Sequence, residues 1–204
     1  MPAWKLRTTI TAANDPAYYG LNERITAAGC GLKGKLFPEQ EGKPVALMSV
    51  RRIDSSNRKQ ADAFISSRWF SLQMVVHGTV YDLHHAEGYV SLSDDVIDGM
   101  VTYEITGSTM EILSLDSMHE NRGTGTELLN AAIEEARKRD CRRIMLITTN
   151  DNMHALRFWQ KRGFDLVGLY RNALDESRKL KPAIPMTGID GIPLKHEIKL
   201  EMYL

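Results

Sequence analysis

The apolar positions of this chain change their period several times, and the changes divide it into elements. Between residues 110 and 164 the order is strand, glycine turn, helix, strand and short helix. The strand runs through Glu111, Ile112, Leu113, Ser114 and Leu115 into a turn over residues 120–126 that holds Gly123 and Gly125. Leu128, Leu129, Ala132, Ile133 and Ala136 then recur at helical spacing. The run Ile144, Met145, Leu146 and Ile147 is continuous, as in a parallel strand buried on both faces. A helix that opens at a glycine turn after such a strand presents backbone N–H groups and the positive end of its dipole, which suits a pyrophosphate.

Upstream, residues 45–50 read as a strand and 61–70 as an amphipathic helix. Segments 87–92, 96–105 and 109–115 form an antiparallel run, with turns at Asp94-Asp95 and Gly107-Ser108. Downstream, 164–170 and 196–202 are strands. The stretch between them, 171–194, is a long, basic, proline-bearing connection, a length that in compact domains marks a functional or mobile loop. The first 44 residues are broken by Pro16, Gly29, Gly31, Gly34, Pro38, Gly42 and Pro44, with room for one helix over 17–28. The organisation expected is a partly helical extension over 1–44 and one domain over 45–204.

Charge narrows the function classes. Lysine plus arginine equals aspartate plus glutamate, 26 each, so no global field draws the chain to nucleic acid or an anionic membrane. The basic clusters Arg137-Lys138-Arg139 and Arg142-Arg143 follow Glu134 and Glu135 at a helix end, where they complement the dipole. Cys30 and Cys141 stand far apart, as expected of a reducing compartment with neither disulfide framework nor zinc site. No apolar leader follows Met1 and no run approaches the roughly 20 residues of a bilayer span, so a cytoplasmic protein is expected. The histidines show no ligand spacing, and no metal is expected. Residues 29–35 imitate a phosphate-binding loop, but Leu36 occupies the magnesium-binding Ser/Thr position and Pro38 interrupts any helix, so this is read as an ordinary loop.

Two ordered motifs carry a resemblance. Gly123 and Gly125 fill the small positions of Gln/Arg-x-x-Gly-x-Gly/Ala, with Glu120 where Gln or Arg is usual. One helix and one strand later, Asn152, Ala155, Phe158-Trp159 and Gly163-Phe164 match Asn-x-x-Ala, an aromatic and Gly-Phe. The chain resembles the GNAT-superfamily acyltransferases over roughly residues 49–204. The fold implied is α/β (α+β): a mixed, mostly antiparallel central sheet with a βαβ acyl-CoA-binding unit, flanked by helices. The co-substrate implied is acetyl-CoA. Its pantetheine would pair with the main chain at Leu115, Asp116 and Ser117, in the gap between two splayed strands. Its pyrophosphate would meet the turn of Glu120, Asn121, Arg122, Gly123, Thr124, Gly125 and Thr126. Asn152, which also suits a helix N-cap, would face the pantetheine, and Phe158 and Trp159 would pack beside it.

The activity implied is acetyl transfer to a primary amine of a small molecule or peptide, which needs a base because an ammonium has no lone pair. Glu111 is the first candidate, since Glu111-Ile112 resembles the base-bearing strand of histone-type members; Asp116, His119 and Glu104 are rivals. Relatives often protonate the departing thiolate with a tyrosine where this chain has Trp159, whose indole N–H is no useful acid. Tyr170, Tyr103 or solvent would take that role. In the connection, Arg178, Lys179 and Lys181 suit an acceptor that carries a carboxylate or phosphate beside its amine; the alternative is a segment that packs only the domain or a homodimer partner. Two other readings stand beside this one. They are a non-catalytic CoA-binding module, which the missing tyrosine permits, and an acetyltransferase acting on charged tRNA, against which the neutral charge counts.

Overall fold

The computed structural model describes residues 49–119 and 122–204. Along the chain come β1 (Ser49–Arg52), α1 (Arg58–Trp69), β2 (Gln73–Val76), β3 (Thr79–Asp82), β4 (Glu87–Ser93), β5 (Val96–Thr106), β6 (Thr109–Ser117) and α2 (Thr124–Lys138). After them come β7 (Arg143–Thr149), α3 (Met153–Gln160), β8 (Asp165–Tyr170), α4 (Ala173–Leu180), a short 3-10 turn (Ile189–Gly191) and β9 (Glu197–Tyr203). Seven strands make one sheet in the order β1-β4-β5-β6-β7-β9-β8, antiparallel everywhere except between β6 and β7. The fold is therefore the mixed, mostly antiparallel α/β architecture expected, and β6-α2-β7 is its one parallel crossover.

Alternation along the strands builds two cores. Val101, Ile112 and Ile144 point to one face, where Leu128, Leu129 and Ala132 of α2 and Phe158 of α3 cover them. Met100, Leu113 and Val90 point to the other, under Phe64 and Ile65 of α1. The second sheet, the β2–β3 hairpin, packs Met74 on this same face.

Four features depart from the sequence reading. Helix α1 begins at Arg58, three residues earlier than expected, after Asn57 and Asp54 have satisfied the chain's turn. The β2–β3 hairpin was not anticipated. Its strands have four residues each, and its turn is His77-Gly78, both at positive φ (47° and 74°), the geometry that usually selects Asn-Gly. The connection 171–194 is not a plain loop: α4 occupies its first half. Finally, β7 is covered on one face only. Ile144, Leu146 and Thr148 are buried, whereas Met145 and Ile147 on the other face are half-buried because a cavity opens there. The expected helix at 17–28, the glycine-rich segment 29–35 and the strand before Ser49 lie outside the described residues.

Gly88 on β4 shows how tightly the sheet is layered. A Cβ there would stand 2.1 Å from the Val101 carbonyl oxygen and 2.9 Å from Ile53 Cδ1. Gly88→Ala should cost about 2 kcal/mol or more, since the obstructing atom is backbone and cannot swing away. Urea unfolding of the two proteins checks this.

Candidate active site

Strands β6 and β7 pair only along Thr109–Ile112 and Arg143–Leu146, although they continue to Ser117 and Thr149. Beyond Ile112 they part. The divergence starts at a β-bulge: Tyr103 faces Ile112 and Thr102 faces Ser114, so Leu113 has no opposite number on β5. A bulge of this kind bends its strand and re-aims the residues after it. From Leu113 onward β6 pairs with β5 on one side and with no strand on the other, leaving main-chain donors and acceptors along the gap.

The gap is a cavity of about 180 Å³ that runs through the sheet. Ile112–Leu115 of β6 and Leu146–Thr149 of β7 form its sides. Ala155 and Trp159 of α3 line it from one face, and Trp69 and Phe70 at the end of α1 with Met74–Val76 of β2 line it from the other. Leu174, Lys181, Ile184 and Leu194 of the long connection close the rim, and Glu197 of β9 also reaches in.

At one end of the gap lies the glycine turn. Gly123 is the N-cap of α2 at φ 88°. The Gly123 carbonyl accepts from Thr126 and Glu127 N–H at 2.8 and 3.0 Å, which sets the first turn. A Cβ on Gly125 would meet only the Phe158 ring, at 3.4 Å, an ordinary contact. Packing within the protein therefore does not demand glycine at 125; a ligand approaching the backbone there would. Arg162 adds a cation that the sequence reading missed. Its guanidinium carbon lies 3.6 Å from the Phe158 ring centroid, and it donates to the Thr126 hydroxyl and the Phe158 carbonyl. The signal was an arginine one residue before Gly163-Phe164. Asn152 caps α3 by accepting from Ala155 N–H at 3.0 Å, while its buried Nδ2 has no partner.

The model of the Acetyltransferase (GNAT) family matches residues 54–164, more than half of the chain. The chain belongs to the GNAT acetyltransferase family. Among relatives, it is 46% identical over 139 residues to the uncharacterized protein YxbD of Bacillus subtilis, covering 68% of this chain and 87% of that one. Among solved structures it resembles an IAA acetyltransferase from Bacillus cereus (18% identity, TM-score 0.59, 78% of this chain and 100% of that one). It also resembles a Bacillus subtilis acetyltransferase in complex with CoA (20% identity, TM-score 0.57, 78% and 99%). Among the described residues no group of three or more His, Cys, Asp or Glu could hold a metal, and no helix is long and apolar enough to cross a membrane.

Within this GNAT frame the expected site residues fall into three groups. Leu115 and Trp159 line the cavity, Ser117 ends β6, Arg122, Gly123, Thr124, Gly125 and Thr126 form the turn into α2, and Asn152 and Phe158 belong to the start and body of α3 without lining the cavity; Glu120 and Asn121 lie outside the described residues. Trp159 is 4% exposed and stacks edge-on against Phe158 and Phe164, each at 5.0 Å, while lining the cavity. Asp116 is fully turned away from solvent, and its carboxylate accepts from Trp69 Nε1 at 2.8 Å and faces Arg68 at 3.9 Å. It anchors the end of α1 to the sheet.

The catalytic candidates Glu111, Glu104, His119, Tyr103 and Tyr170 are not among the residues that line the cavity. Glu111 is half-buried, one residue before the strands part, and accepts from the Tyr81 hydroxyl at 3.2 Å. Burial raises its carboxyl above the usual range; the Tyr81 bond opposes this and Glu104, directly across on β5, reinforces it. Glu104 and His119 are exposed. Tyr103 is fully buried in the α2-side core, away from the cavity walls. Tyr170 closes β8 with its ring on His77, centroids 4.0 Å apart. Arg178 is engaged by the connection itself, donating to the Ile184, Pro185 and Leu194 carbonyls and to Asp175. Lys181 lines the cavity, but its Nζ donates to the Gln73 carbonyl at 2.9 Å. Glu197, which the sequence reading passed over, is a buried carboxylate in the cavity wall.

Burial pushes Asp116 from the usual 3.8 up to about 6, against the Trp69 bond and the Arg68 charge. The folded chain then binds this proton more readily than the unfolded one, so stability is lost as pH rises through that window, by about 3 kcal/mol in all. Asp116→Asn keeps an acceptor for Trp69 and has no proton to release. Its stability relative to the parent should therefore rise between about pH 4 and pH 6, and melting temperatures of both proteins across that range check it.

Proposed function

We propose that this chain is an acetyl-CoA-dependent N-acetyltransferase acting on a primary amine of a small molecule or peptide. The observation that carries the reading is the parting of β6 and β7 beside a glycine turn that opens a helix. The open edge of β6 at Leu115, Asp116 and Ser117 offers main-chain partners for an extended amide-bearing arm. The glycine turn before α2 offers the positive end of the helix dipole to a pyrophosphate, with Arg162 adding positive charge. The orphaned Asn152 Nδ2 supplies a further donor. CoA bound in the Bacillus subtilis structural neighbour supports the same reading.

Acetyl-CoA would supply the acetyl group as a thioester. The protein's part is to hold the acceptor nitrogen against the carbonyl carbon in the gap and to remove the amine's proton. Glu111 takes that proton, directly or through a water, because burial has raised its basicity toward the range a general base needs. As the C–N bond forms the C–S bond breaks, and the thiolate takes its proton from water or from Tyr170. No tyrosine is among the residues lining the cavity, which favours water. That same observation supports a second reading, a CoA-binding module without catalysis. Release of free thiol from acetyl-CoA in the presence of a panel of amines separates the two.

Gly125→Asp places a carboxylate and side-chain bulk where the pyrophosphate would approach. The variant should melt near the parent without ligand and gain no protection from CoA; protection equal to the parent's would refute the turn as its site. Glu111→Gln keeps the shape of the side chain and removes its basicity. We expect kcat to fall by about 10²-fold or more with the KM for acetyl-CoA unchanged, and a parent-like kcat across pH would place the base elsewhere.

A further inference from the structure

We propose that the acceptor carries its amine on an apolar body and arrives as an ammonium that seats on Glu197 before its proton is removed for transfer. This rests on the transferase reading above and goes further, to the substrate class. The part of the cavity beyond the two parted strands is the part left for an acceptor. Its walls are Trp69, Phe70, Met74, Val76, Leu174 and Ile184, all apolar in character.

Three of the charged groups in the cavity wall each face a protein partner, although the Arg68 Nε makes no hydrogen bond. Lys181 donates to the Gln73 carbonyl. Both Asp151 oxygens are taken, one by the Thr149 hydroxyl and one by Ile189 N–H at 2.8 Å. Arg68 faces Asp116, 3.9 Å away. Arg178, the other cation expected to meet an anionic acceptor, is held by three main-chain carbonyls and does not line the cavity.

Glu197 is different. It is 3% exposed, and Oε1 accepts from His77 N–H at 3.1 Å. Oε2 is buried with no hydrogen-bond donor; His77 Nδ1 lies 3.3 Å from it without hydrogen-bond geometry. A buried carboxylate oxygen lacking a donor is unfavourable until one arrives, and an alkylammonium brings three. An acceptor with a carboxylate or phosphate beside its amine would instead place a second negative charge against Glu197. The chemistry of the cavity thus favours a compact arylalkylamine or alkylamine over an amino acid, a phosphorylated amine or a strongly polar amine.

Steady-state kinetics on the full chain test this with three probes: 2-phenylethylamine, phenylalanine and ethanolamine. Phenylethylamine should be acetylated with kcat/KM at least about tenfold above the other two, since loss of a matched contact or burial of an unpaired charge costs that much or more. Glu197→Gln should raise the KM for phenylethylamine about tenfold or more while the KM for acetyl-CoA stays within about twofold, and Glu197→Asp should restore part of the loss. CoA protection in a melting assay confirms that each variant is folded. Preference for phenylalanine or ethanolamine, or an unchanged amine KM in Glu197→Gln, overturns the assignment and leaves the transferase reading standing. If no amine, in these probes or in the wider panel, releases thiol from acetyl-CoA despite CoA protection, both readings are overturned.

Discussion

Two parallel strands that stop hydrogen-bonding halfway along must each find another partner or leave their main chain exposed. Here the constraint is met asymmetrically. Strand β7 keeps an antiparallel partner, β9, along its whole length from Arg143 to Thr149. Strand β6 keeps only β5, through a bulge at Leu113, and its other edge stays open into the gap. The half-paired β6 is thus braced by one side of the sheet while the other side is withdrawn from it. The cavity, the turn at its end and the two separate cores follow from that arrangement.

Polar ties hold α1 and the hairpin over the gap. Trp69 reaches Asp116, Tyr81 reaches Glu111, Lys181 reaches Gln73 and His77 reaches Glu197. Each joins α1 or the hairpin to an element of the main sheet or its long connection. Two of the four end on carboxylates that are nearly sealed from water, Asp116 and Glu197. Burial of a carboxylate is unfavourable unless its bonds are made, so these ties fix the wall more firmly than surface ion pairs of equal number would.

Much of the frame was legible because its signals are local. The alternation in β4, β5 and β6, the helical spacing from Leu128 to Ala136, and the glycines at 123 and 125 all report on neighbours in sequence. The hairpin escaped because histidine stands at a turn position where asparagine or aspartate would have announced it. Helix α4 escaped because it is mostly polar, burying only Leu174 and Ser177, and starts from Asn172 at φ 58°. Arg178 looked available because its partners are main-chain carbonyls, which no side-chain pattern reveals. Glu197 could not be found by spacing at all, since the residue that orients it lies 120 positions earlier.

The β2–β3 hairpin shares no strand pairing with the seven-stranded sheet. A ribbon of two four-residue strands has little stability of its own, so its position depends on the contacts at its base and tip. Its opening and the unfolding of the domain are therefore governed by different free energies. Met74 of β2 belongs to the second core and Met74–Val76 form part of the cavity wall, so lifting the ribbon would open an edge of that core and uncover the cavity together.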